Sequence, residues 1–147
     1  MGLTRIRAEQ ISDIDYKQAV RALQNSNVNL SGGAPSVVDG VNLSVNDRIL
    51  VIGQDSGAQN GIYRVDVLGS GSNGTWVRTS DSNQTGEIEA GMIIMVTEGT
   101  VYKDTQWKLI TNDPITIGVT ALTFEQNTGF AFGNIFANCV SYDIKFN

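Results

Sequence analysis

The stretch Gly61-Ile62-Tyr63-Arg64-Val65-Asp66-Val67-Leu68 sets the period in which the remaining chain is read. Successive side chains of an extended segment point to opposite sides, so Ile62, Arg64 and Asp66 share one face and Tyr63, Val65 and Val67 the other. Asn60-Gly61 either closes a tight hairpin, where both residues accept positive φ, or simply opens this strand. Outward from it, Arg48 to Gly53 (RILVIG) is a β-branched run after Asn46-Asp47. Thr75 to Thr79 (TWVRT) puts Trp76 and Arg78 together, opposite Val77. Met92 to Thr97 (MIIMVT) is continuously apolar and is expected to be a fully buried strand. Tyr102 to Thr111 sets Trp107 and Leu109 either side of Lys108, and Ala121 to Gln126 puts Leu122 and Phe124 on one face. Asp39-Gly40 and Glu98-Gly99 are turn dipeptides, and Asp113-Pro114 pre-sets a turn before Ile115. Short strands at this spacing predict an all-β fold, a compact antiparallel sandwich or barrel.

The two ends depart from this rhythm. Residues 1–23 are expected to form a short N-terminal arm, 24–126 the β-rich body and 127–147 a C-terminal strand and interface tail. Arg7 to Ser12 suits one or two helical turns, whereas Tyr16 to Leu23 fits a helix by composition and a strand by alternation. Val140, Tyr142, Ile144 and Phe146 alternate with Ser141, Asp143 and Lys145, the pattern of a half-buried strand. Such a strand needs a partner, its own sheet or a neighbouring subunit. These four residues, with Ile6 and Ile11 of the arm, are the candidate subunit contacts.

Composition narrows the chemistry. At 147 residues the chain is one domain's length, and 41% hydrophobic against 17% charged residues excludes a disordered chain. Sixteen glycines argue against a helix bundle, and a net charge of -5 argues against a nucleic-acid partner. There is no histidine, which removes Ser-His-Asp and Cys-His nucleophile systems and His-ligated zinc. The single Cys139 makes neither an intrachain disulfide nor a Cys-rich metal site. Met1 to Asp15 carries no secretory apolar run, and no stretch approaches the roughly 18 apolar residues of a membrane span. The expectation is a chain made in a cytoplasm, without a cofactor.

The remaining motifs each have a plain reading. Gly69-Ser70-Gly71-Ser72-Asn73-Gly74 matches G-x-G-x-x-G, but strand sequence follows it instead of the helix that a pyrophosphate site requires, so a hairpin loop is expected. Asp81 to Gly86 (DSNQTG) matches the first half of a calcium loop, yet Met92 stands where the bidentate Glu belongs; Glu87 or Glu89 could substitute in an irregular site, and a polar loop is expected. Glu87 and Glu89 share a face if extended, and with Glu98 they offer carboxylates for glycan cleavage, though solvated edge charges are the simpler reading. Trp76 and Trp107, with Tyr63 and Tyr102, are candidates for a glycan-stacking platform, but core packing is the expected reading for both tryptophans.

One ordered series has a familiar shape. Asn27-Val28-Asn29-Leu30-Ser31, Val38-Asp39-Gly40-Val41, Asp47-Arg48-Ile49-Leu50-Val51 and Gln59-Asn60-Gly61-Ile62-Tyr63 come first. Trp76-Val77-Arg78-Thr79-Ser80-Asp81, Val96-Thr97-Glu98-Gly99-Thr100 and Asp104-Thr105-Gln106-Trp107 follow. Asp113-Pro114-Ile115-Thr116-Ile117-Gly118 and Thr120-Ala121-Leu122-Thr123-Phe124 close it. Together, over residues 16–126, they resemble a domain of bacteriophage tail-fibre and related virion proteins. Tyr16-Lys17-Gln18-Ala19-Val20-Arg21 resembles the lead-in of such domains, which favours a strand there. The resemblance implies a non-enzymatic structural module in the virion, made in the host bacterial cytoplasm. Its implied partners are further copies of itself, with a homotrimer first, and other virion proteins. The matching residues are turn formers and strand apolars, so no binding residue carries over. A fibre of this kind is longer, and Gly129 to Asn147 falls outside the pattern. A short tail fibre, spike or connector is therefore expected, with a capsid decoration protein or a host-glycan receptor module as alternatives.

Overall fold

The computed structural model describes residues 14–128. They form ten strands: β1 (Ala22–Gln24), β2 (Ser31–Ala34), β3 (Val37–Val38), β4 (Val41–Asn42), β5 (Arg48–Val51), β6 (Gly61–Val67), β7 (Gly74–Arg78), β8 (Ile93–Val96), β9 (Thr105–Leu109) and β10 (Phe124–Gln126). A five-stranded sheet runs β1-β5-β6-β7-β2, a three-stranded sheet β10-β9-β8, and β3-β4 is a separate hairpin. The fold is an all-β sandwich and not a closed barrel. Asp39 (φ 48°) and Gly40 (φ 78°) make the β3–β4 turn with both central residues at positive φ, as the dipeptide predicts. Asn60 stays extended, so Asn60-Gly61 opens β6, while residues 68–73 are the β6–β7 loop and Gly74 opens β7.

Strands β5 and β6 are covered on both faces. Leu50 lies opposite Ile62, and Ile49 opposite Tyr63. Leu23, Leu50 and Ile62 face the three-stranded sheet, packing with Ile94, Val96, Trp107, Leu109 and Phe124. Ala22, Ile49, Val51, Tyr63, Val65 and Trp76 face the other way, under Val38, Val41 and Leu43. The expected alternation of β6 is seen: Ile62 lies in one core, Tyr63 and Val65 in the other. At the strand end both faces open, and Asp66 and Val67 are exposed. Past Val65 the register with β7 shifts, and the strand end runs beyond its cover. Met92 to Thr97 is corrected. Ile94 and Val96 are buried, but Met95 is 42% exposed, because β8 faces solvent on its outer side.

Residues 15–24 settle the ambiguity of the N-terminal segment. They are extended and pair in parallel, first with β8 and then with β5. Lys17 N donates to Ile93 O at 2.9 Å, Ile93 N to Asp15 O at 2.8 Å and Val20 N to Met95 O at 2.8 Å. Arg21 N then reaches Arg48 O at 2.8 Å, and Ala22 to Gln24 lie opposite Ile49 to Val51. One strand thus leaves one sheet and joins the other, which makes the corner of the sandwich. Val20, Ala22 and Leu23 are 1%, 0% and 1% exposed, so the described end of the expected arm belongs to the core. The parallel pairing also qualifies the antiparallel expectation: the sheets are mixed.

Candidate functional site

A cleft of about 440 Å³ opens where the β3–β4 turn meets the loop after β8. Asp39 organises it. Its carbonyl accepts Thr100 N at 2.9 Å, and its carboxylate accepts the N–H groups of Val101 at 3.0 Å and Tyr102 at 2.9 Å. The approach demands glycine on both sides. A Cβ on Gly40 would sit 2.6 Å from Thr100 Oγ1, and one on Gly99 would collide with Asp39 Oδ2. Behind this turn lies Arg21, whose Nε donates to Glu98 Oε2 at 3.0 Å and whose Nη1 donates to Asp47 Oδ2 at 2.6 Å and Asn42 O at 2.8 Å. The bonds to Glu98 and Asp47 raise the Arg21 pKa further, so it is a fixed cation. Lys103 also lines the cleft and makes no ion pair among the described residues.

A second cluster fastens the N-terminal segment. Arg48 grips both oxygens of Asp81, at 3.2 and 3.1 Å, and donates to Gln18 O at 2.9 Å. Thr79 Oγ1 donates to Asp81 at 2.6 Å. Burial pushes the Asp81 carboxyl up, but the bonds from Arg48 and Thr79, with the charges of Arg48 and Lys17, outweigh it and hold the carboxyl below its ordinary value. Asp81 is thereby committed to Arg48, and Glu87 Oε1 accepts Asn83 N and Gln84 N at 2.9 Å each. The calcium-like loop is a turn stitched by its own side chains. Among the described residues no group of three or more His, Cys, Asp or Glu is placed to hold a metal ion. Glu98 is the acid partner of Arg21 and not of that loop.

Of the two readings of the tryptophans, burial supports core packing. Trp76 and Trp107 are 3% and 7% exposed and lie in the two different cores, on opposite sides of the five-stranded sheet. Stacking on a sugar needs an open ring face, and neither ring offers one. Trp107 Nε1 donates to Thr105 Oγ1 at 2.9 Å, and its ring meets Tyr102 edge-on at 5.8 Å. Tyr63 is buried beneath Arg78, whose guanidinium stands 5.1 Å from the ring centre, and burial pushes its phenol pKa up against the lowering effect of Arg78. The candidate contacts Ile6, Ile11, Val140, Tyr142, Ile144 and Phe146 lie outside the described residues.

The outward face of the three-stranded sheet is partly apolar. Ile93 and Met95 of β8 lie opposite Lys108 and Gln106 of β9, and Lys108 lies opposite Glu125 of β10. Tyr16, 64% exposed, pairs with Ile93 at the rim. The far side of β10 meets no strand among the described residues. The cleft was not visible in the sequence, although both of its turns, Asp39-Gly40 and Glu98-Gly99, were. About sixty residues separate them, and only the fold brings them together. No family model matches the chain, and no curated protein or solved structure matches it.

Proposed function

We propose that this chain is a non-enzymatic structural module of a bacteriophage particle, a short tail fibre, spike or connector that assembles as a symmetric oligomer, a trimer in the first instance. The observation that carries the reading is that one side of β10 meets no strand among the described residues, beside an outward sheet face bearing Tyr16, Ile93 and Met95. An open strand edge next to apolar surface is a template for strand addition. The ordered series over residues 16–126 points to the same class of protein. The added strand is the alternating run Val140 to Phe146 of a neighbouring subunit. Its polar side carries Asp143 and Lys145, which match the Lys108–Glu125 pair on the outward face.

Sedimentation velocity on the full chain and on a chain truncated after Gly129 tests this. The full chain is expected to sediment as one discrete oligomer and the truncated chain as a monomer with unchanged folding. A full chain that stays monomeric at high concentration contradicts the assembly, and a truncated chain that still assembles contradicts the role of the tail.

A further inference from the structure

Residues 15–20 run parallel to β8, β8 runs antiparallel to β9, and β9 antiparallel to β10. The segment and β10 therefore point the same way, on either side of the β8–β9 pair. Tyr16 lies beside Ile93 at the start of β8, and Ile93 lies opposite Lys108. Phe124 lies opposite Leu109, so β10 begins at that same end. It leads away from there, with Asn127 N donating to Gln106 O at 2.7 Å. The described chain thus enters at one end of this layer and leaves toward the other. We propose that the body is a load-bearing link. Tension along the chain through Ile14 and Thr128 pulls the two outer strands of the layer in opposite directions, along their own axes.

Load in that direction meets the bonds of the segment together. Its backbone bonds to Ile93, Met95, Thr97, Glu98, Arg48 and Ile52 all run between strands, across the line of pull, so they share the load. A pull at right angles opens them one after another, beginning at Asp15. Side chains add to the hold. Lys17 Nζ donates to Asp81 O at 3.0 Å and Arg48 Nη2 to Gln18 O at 2.9 Å, while Arg21 is tied to Asp47, Glu98 and Asn42 O. Slippage is blocked as well. Successive side chains of β1 enter different cores, Ala22 one and Leu23 the other. A shift of one residue toward Ile14 would put Gln24 where Leu23 is buried, and Leu23 where Ala22 is fully enclosed. The link goes beyond the virion reading and does not rest on it, so either can fail alone.

The test is optical-tweezer unfolding of the full chain, with DNA handles on introduced thiol pairs and Cys139→Ser removing the native thiol. Ile14→Cys with Thr128→Cys pulls along the strands. Ile14→Cys with Lys103→Cys, in the β8–β9 connection at the far end, repeats the lengthwise pull without loading β10. Ile14→Cys with Thr123→Cys pulls across the strands, because Thr123 precedes β10 at the end where the segment begins. All four positions are exposed, and urea midpoints close to that of the parent show that the variants fold. Forced unfolding follows the unfolding rate in the direction of pull, so both lengthwise pairs are expected to rupture in one step, at about twofold the crosswise force or more. A crosswise force equal to or above either lengthwise force overturns the proposal, as does gradual lengthwise extension without a rupture step.

Discussion

Asp81 shows what a single carboxylate contributes here. Its folded pKa lies below the ordinary carboxylate value, so the unfolded chain takes up its proton first as pH falls. Its contribution is therefore complete above the unfolded value of about 3.9 and is lost as pH drops through the folded value. Urea midpoints of the parent and Asp81→Asn proteins should differ by a constant amount between about pH 5 and 7 and converge below about pH 4. A gap that widens on acidification would contradict the assignment. Gly99 makes a second prediction at this scale. At φ 133°, and with Asp39 Oδ2 in the path of any Cβ, Gly99→Ala is strained twice over. It should cost about 1–3 kcal/mol by denaturant titration, whereas Gly86→Ala, with open space around it, carries only the backbone part of that penalty.

Among the elements, the segment 15–24 does the most to join the sandwich. Leu23 is 1% exposed within the core between the sheets, and Tyr16, in the same segment, is 64% exposed. Leu23→Ala should therefore cost about 2–5 kcal/mol and Tyr16→Ala less than about 0.5 kcal/mol in equilibrium unfolding of the same chain. Equal costs would show that the segment is not built in as described. This element also marks how far the sequence was legible. β5, β6, β7, β9 and β10 were readable because their alternation and flanking turns agree. Tyr16 to Leu23 was not, because a strand that changes partner halfway shows no single period. Met95 was misplaced for a related reason: a continuously apolar run does not report which of its faces is left uncovered. The Asp39 cleft was legible only as two separate turns, and its Arg21–Asp47–Glu98 support not at all, since long-range ion pairs leave no local signature.

Across the whole molecule, the five-stranded sheet divides two apolar cores, each holding one tryptophan. Both tryptophans should emit at short wavelength and resist acrylamide quenching. Strong quenching of either ring would return it to the list of surface groups. With both faces of the main sheet covered among the described residues, the proposed function places other subunits at the β10 edge and the outward face of the smaller sheet. The central claim is that this attachment builds a virion, and gold-labelled antibody against the protein, applied to intact phage particles in the electron microscope, addresses it most directly. Label at the tail is the predicted result. Label over the head would contradict the fibre, spike or connector role in favour of a decoration protein, and particles free of label would contradict the virion account itself.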